Sequence, residues 1–181
     1  LVKEIMSDIQ FEASEREVVI PVSAVLQRKL DSESPWGLPQ WSAYAIICEN
    51  KSGAAADKVL IHDDGTYVRY LWTGMSVHLY KDGNEGYWYN LLSDKPYLFV
   101  VCDGSPNDME IEPVFVTANQ DEATGDMEAE RIVLEIAMPD KMHNIVERYV
   151  VTHYVPEVKK KRKRKDWLSE SEYVKKTDNR I

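Results

Sequence analysis

The chain has little of what usually names a chemistry. It holds two cysteines in 181 residues. Each sits in an apolar run, Ile46-Ile47-Cys48 and Val100-Val101-Cys102, which reads as a free thiol in a reducing cytosol rather than half of a disulfide. The four histidines, His62, His78, His143 and His153, show no C-x-x-C or H-x-x-x-H spacing, so no metal centre is expected. There is no G-x-S-x-G and no cysteine in a polar, activating context, so no nucleophile stands out. Neither G-x-G-x-x-G nor G-x-x-x-x-G-K-[ST] occurs, which argues against an ordinary nucleotide fold. The chain therefore reads as a non-enzyme without a cofactor. No apolar run approaches the ~18 residues of a membrane helix, and nothing reads as a signal peptide. The expected location is the cytoplasm, although the sequence opens on Leu1 and leaves an upstream segment open.

What is present is a core. Hydrophobic residues make up 44% of the chain and aromatics 10%, too many for a disordered protein. The length suits one domain able to bury its own core without disulfides or metal. Most of the aromatics fall between Gly65 and Thr117. Within that stretch, Tyr97-Leu98-Phe99-Val100-Val101 is short, apolar and uncharged, the pattern of a strand buried on both faces and so of the sheet's middle.

In chain order, residues 1–16 read as a frayed arm. Val18 to Leu26 is a strand, with Pro21 at an edge or a bulge because proline cannot donate to a ladder. Residues 31–39 form a loop, and Trp41 to Cys48 is the next strand. Val59–His62 and Tyr67–Trp72 flank Asp63-Asp64-Gly65, a strong hairpin signal because Gly supplies positive φ. Gly74 reads as a turn before another strand through Val77 and Leu79. Asp82 or Asn84 caps a short helix through Leu92, with Gly86 weakening it. A strand over Ile111–Thr117 follows. Asn119 and Glu122 form a capping pair for a second short helix that Gly125 ends or spoils. Ile132, Leu134 and Ile136 alternate along a last strand. From Pro139, Met142, Ile145, Val146, Tyr149 and Val150 recur at helical spacing, and Pro156 stops that helix. The expected fold is α+β: a mostly antiparallel, bent sheet or partial barrel, two short helices, a longer C-terminal helix and a basic tail. The domain spans 17–156, the tail 157–181.

Candidate functional residues are few. Asp63 and Asp64 could pair as carboxylates, but Gly65 after them makes a turn the simpler explanation. Tyr87-Trp88-Tyr89 could stack bases, yet a helix packing its aromatic side on the sheet explains it as well. Trp36, Tyr87 and Asn90 are the residues put forward for a surface or pocket. The most conspicuous feature is the unbroken basic run Lys159, Lys160, Lys161, Arg162, Lys163, Arg164 and Lys165. Net charge is −9; without that run, 15 basic residues face 31 acidic ones. An acidic body with a basic tail is compatible with phosphate contacts to nucleic acid, with docking on an acidic protein, or with a solvated tail. A protein partner is the favoured reading, because the acidic body would repel a long polyanion lying across it.

Several segments also read together as one pattern. It opens with Ile20-Pro21-Val22-Ser23, Val25-Leu26, Arg28-Lys29, Pro35-Trp36 and Trp41, and continues with Tyr70-Leu71, Asp82, Tyr87, Tyr89-Asn90-Leu91, Pro96, Leu98 and Val100-Val101. Val116-Thr117-Ala118, Glu122-Ala123, Val133 through Met138-Pro139 and the basic run close it. Over roughly Val19 to Lys165 the chain resembles a family of small uncharacterised bacterial proteins encoded beside molybdenum- or tungsten-dependent formate dehydrogenases. Tyr80 stands where that pattern has a histidine, and residues 166–181 extend past its usual end. The resemblance implies an accessory role in assembling or operating such a dehydrogenase, by binding one of its subunits or a companion factor. It supplies no catalytic residues. The alternative is a nucleic-acid- or nucleotide-binding regulatory module that uses the basic tail.

Overall fold

The computed structural model of the protein describes residues 17–30, 37–49 and 55–154. Its elements run β1 (Glu17–Leu30), β2 (Pro39–Cys48), β3 (Lys58–Asp63), β4 (Tyr67–Tyr80), α1 (Asn84–Leu92), β5 (Tyr97–Asp103), β6 (Glu112–Thr117), α2 (Gln120–Glu128), β7 (Ile132–Ala137) and α3 (Asp140–His153). The seven strands form one sheet in the order β2-β1-β4-β6-β5-β7, with β3 branching off β4. The end strands β2 and β7 lie beside each other without a ladder, so the sheet is a nearly closed barrel. The class is α+β, with two short helices and a longer C-terminal one. Pro156 and the segments 1–16 and 157–181, expected as a helix stop, an arm and a tail, lie outside the described residues.

The strand that organises the sheet is β4. One of its edges pairs with β1 over nearly its whole length, from Lys29↔Tyr67 to Glu17↔Tyr80. Its other edge is shared: β3 pairs with Val68–Trp72, and β6 joins in parallel at Val77↔Val116. Gly74, expected as a turn between two strands, is a bulge inside one. Thr73 and Gly74 together face Ser23, and Gly74 takes φ +73°, which costs a glycine nothing. The chain bends there and does not reverse. Pro21 sits where expected, at the end of the β2 ladder, its carbonyl accepting the Glu49 N–H at 2.9 Å.

Alternation fills the barrel. Ile20, Val22, Ala24 and Leu26 of β1 point inward, with Val77 and Leu79 of β4, Leu98, Val100 and Cys102 of β5, and Ile132 and Leu134 of β7. Tyr87 of α1 and Met142, Ile145, Val146, Tyr149 and Val150 of α3 join the same cluster, so these two helices complete the core. Phe99, Val101 and Ala123 are buried outside that cluster, where α2 covers the outer side of β5. The expected burial of β5 on both faces is therefore met. Its place in the strand order is toward one end, not the middle.

Two helix expectations change in detail. Neither Asp82 nor Asn84 caps α1 through its side chain. A 3-10 turn at Lys81–Gly83 leads in, Gly83 occupies the cap position, and the Asn84 amide donates to the Lys81 carbonyl at 2.9 Å. Gly86 is a requirement as well as a weakness: a Cβ there would lie 2.3 Å from Asn119 Oδ1, so its absence lets α1 meet the start of α2. Asn119 caps α2 as expected, accepting the Asp121 N–H at 3.0 Å. The Glu122 carboxylate reaches back through a relay: Thr117 Oγ1 donates to it at 2.7 Å and accepts the Asn119 N–H at 2.9 Å. Gly125 does not end α2, which runs on to Glu128. The glycine faces open space, where its propensity cost of about 1 kcal/mol is tolerated.

Candidate functional site

The shared edge of β4 creates the site. Where β3 stops at Trp72 and β6 begins at Val77, the two neighbours diverge and leave a fork. A cleft of about 770 Å³ opens there, closed on the far side by the segment joining β5 to β6. Trp72, Met75 and Phe115 give it apolar wall. Asp57, Asp103, Glu110 and Glu112 give it carboxylates. Asp103 is held by Arg131 at 2.9 Å and Glu110 by Lys58 at 3.6 Å. Asp57 and Glu112 are left without a cationic partner among the described residues. The Lys58 ammonium also lies 4.6 Å from the Tyr70 ring centre and 5.4 Å from that of Trp72, so these rings help to hold it.

Ser76 and His78 also line this cleft. They alternate with inward Val77 and Leu79, so period 2 turns both to the outer face of β4. The Glu17 carboxylate arrives from the adjoining strand. The Ser76 hydroxyl lies 2.8 Å from His78 Nε2, and His78 Nδ1 lies 2.7 Å from Glu17 Oε1. The hydrogen bond from His78 holds the Glu17 carboxyl below the usual carboxylate range, with burial opposing and Tyr80 assisting. An ionised carboxylate only accepts, so in the neutral imidazole the proton belongs on Nδ1. Nε2 is then the acceptor, and Ser76 donates to it. Tyr80 stacks on the imidazole at 6.0 Å between ring centres, with its hydroxyl 3.3 Å from Nδ1. Burial and the nearby Glu17 charge raise the Tyr80 phenol. The Pro21 carbonyl is turned to the β2 side, so its partner Ser76 turns its own N–H away from β1 and into the fork.

None of these three residues was named as a site from the sequence. Ser-x-His at period 2 on a strand is the only local signal, and Glu17 lies 61 residues from His78 in the chain. The residues put forward from the sequence lie elsewhere. Tyr87 is fully buried: its phenol is raised by burial, accepts the Tyr80 N–H at 3.1 Å, and its ring meets Tyr149 edge-on at 6.3 Å. Asn90 is buried as well. It donates to the Tyr97 and Ala118 carbonyls, both at 2.7 Å, and accepts the Tyr97 N–H at 3.0 Å, which ties α1 to the start of β5 and the end of β6. Trp88 packs on Tyr154 at 5.6 Å, while Tyr89 is exposed. Trp36 and the run Lys159 to Lys165 lie outside the described residues. Asp63 and Asp64 serve the hairpin turn, accepting the Gly65, Thr66 and Tyr67 N–H groups at 2.7–2.9 Å.

Both cysteines are free, and burial pushes the Cys102 thiol up to about 12. Among the described residues no three His, Cys, Asp or Glu side chains are grouped to hold a metal, and no helix is long and apolar enough to cross a membrane. No curated protein and no solved structure matches the chain. The family model described as Protein of unknown function (DUF3305) matches residues 21–164, and the chain belongs to that family.

Proposed function

We propose that the protein is an accessory factor of a molybdenum- or tungsten-dependent formate dehydrogenase, acting by binding a subunit of that enzyme or a companion factor. The assignment to formate dehydrogenase rests on the sequence pattern from Ile20 to the basic run. The observation that carries the binding role is β3. Among the described residues this strand is paired on one side only, with β4. It exposes three consecutive apolar side chains: Val59 at 41%, Leu60 at 54% and Ile61 at 49%. Ile61 is an extra residue in the ladder, since Leu60 pairs with Tyr70 and His62 with Arg69. An open, apolar edge strand is costly to leave in water and ready to accept an extended segment of another chain. Its unpaired N–H and C=O groups would supply affinity and its side chains specificity. The basic run would add electrostatic steering toward an acidic surface on the partner.

The test is a tagged pull-down from cells grown on formate, comparing the parent with Leu60→Lys. The parent is expected to recover a formate dehydrogenase subunit or a companion factor. The variant should keep its melting temperature and lose at least about tenfold in recovery, an interface loss near 1.4 kcal/mol. Deleting the gene should lower dehydrogenase activity. Unchanged activity and subunit maturation in the deletion strain would defeat the proposal.

A further inference from the structure

We propose that Ser76, His78 and Glu17 form an acyl-transfer centre, with Ser76 as nucleophile, His78 as its general base and Glu17 as the residue that positions the imidazole. This goes beyond the binding role and does not depend on it.

Three features converge. The first is the order of atoms. Hydroxyl to Nε2 at 2.8 Å and Nδ1 to carboxylate at 2.7 Å is the arrangement that activates a serine on any fold, because the carboxylate fixes the tautomer that leaves Nε2 basic. The second is access. Ser76 and His78 both line the cleft of about 770 Å³, so the hydroxyl faces a space able to hold a substrate. The third is the fork. The Ser76 N–H is turned away from β1, toward the fork on the β6 side, from where it would donate to an oxygen gaining negative charge. The Tyr80 ring lies alongside the imidazole, with its hydroxyl 3.3 Å from Nδ1.

The walls indicate the substrate class. Phe115 alternates with inward Val116, so it shares the outer face with Ser76 and would flank an apolar acyl group, whereas Trp72 and Met75 belong to the inner face of β4. Asp57 and Glu112 repel anions, so the substrate is a neutral or cationic ester. Ser76 Oγ attacks the ester carbonyl carbon, the π pair moves to the carbonyl oxygen, and the hydroxyl proton passes to His78 Nε2. The tetrahedral adduct collapses, the C–O bond to the leaving alcohol breaks, and that oxygen takes the proton from His78. Water then attacks the acyl-Ser76 ester, giving its proton to His78. The serine leaves with that proton and a carboxylic acid is released. The sum is ester plus water giving acid plus alcohol.

The experiment treats the full chain with an alkyl fluorophosphonate and, separately, with p-nitrophenyl butyrate. Intact mass and peptide mapping read the adduct, and absorbance reads ester cleavage. One phosphonyl group on Ser76 is expected, with none on Ser76→Ala. His78→Gln should slow labelling about 100-fold, within the range of a lost general base. Glu17→Gln should slow it less, and Glu17→Asp should restore part of the rate, which a purely structural role of Glu17 would not produce. The parent protein alone can overturn the proposal, whatever the variants do to folding: an unlabelled Ser76 in protein with an intact melting transition, or an adduct confined to other residues, is enough. Equal labelling rates in the parent and a folded His78→Gln would overturn it too.

Discussion

Strands β5 and β3 carry similar apolar runs and meet opposite fates. Leu98-Phe99-Val100-Val101 is buried throughout, whereas Val59-Leu60-Ile61 is exposed throughout. The residue types hardly differ, but the neighbours do. β5 has β6 and β7 on its two edges, the barrel core on one face and α2 on the other. β3 has β4 on one edge and no helix over it among the described residues. An uncharged run shows that a segment could be buried; which element covers it is decided by the rest of the chain.

The largest effect should come from truncating each strand in turn. Leu98→Ala is expected to cost about 2–5 kcal/mol, through lost burial plus the cavity left behind. Leu60→Ala should stay within about 0.5 kcal/mol, as exposed substitutions do. Denaturant midpoints at constant slope measure both. Equal losses would mean that β3 is covered in solution, and the contrast would fail.

A smaller effect tests what holds the covered side together. Asn90→Ala removes three hydrogen bonds and leaves the Tyr97 N–H and two carbonyls facing a void. A loss of about 2–3 kcal/mol is expected, since buried partners lose their compensation for desolvation. Hydrogen exchange at the Tyr97 amide should accelerate. A neutral Asn90→Ala would mean that apolar packing alone fastens α1 to the sheet.

The smallest effect concerns the bare side. The Tyr67 N–H first, then the Thr66 N–H and His62, hold the Asp64 carboxyl down from 3.8 to about 2. A depressed carboxylate stabilises the folded state fully above its unfolded value and loses that contribution as pH falls through the folded one. The hairpin should therefore loosen between pH 3.8 and about 2, ahead of the rest of the sheet. A carboxyl-detected NMR titration reads this directly, and an ordinary value for Asp64 would show that the turn bonds are not kept in solution.

Much of the fold was legible because its signals are local. Asp64-Gly65 gave the β3–β4 hairpin, and Asn119 gave the start of α2. The spacing of Met142, Ile145, Val146, Tyr149 and Val150 gave the buried face of α3. The failures share a cause. Gly74 can serve a turn or a bulge with the same positive φ, and only the Val22–Ala24 register on β1 selects the bulge. Tyr87 and Asn90 looked available for a site because aromatic and amide groups suit both surfaces and interiors, and it is packing against α3, β5 and β6 that consumed them. Glu17 was invisible beside His78, because a contact across two strands exists only once their register is set.

By itself, then, the sequence determined the strand alternations, the Asp64-Gly65 turn, the Asn119 cap and the amphipathic face of α3, all of which depend on residues within a turn or two of each other. Tertiary structure decided which apolar strand is covered, that β4 runs unbroken past Gly74, and that its shared edge opens into a cleft. It also decided that Glu17, His78 and Ser76 meet there. The physical reason is that burial and hydrogen-bond partnership are properties of pairs of elements, and the partners here lie tens of residues apart along the chain.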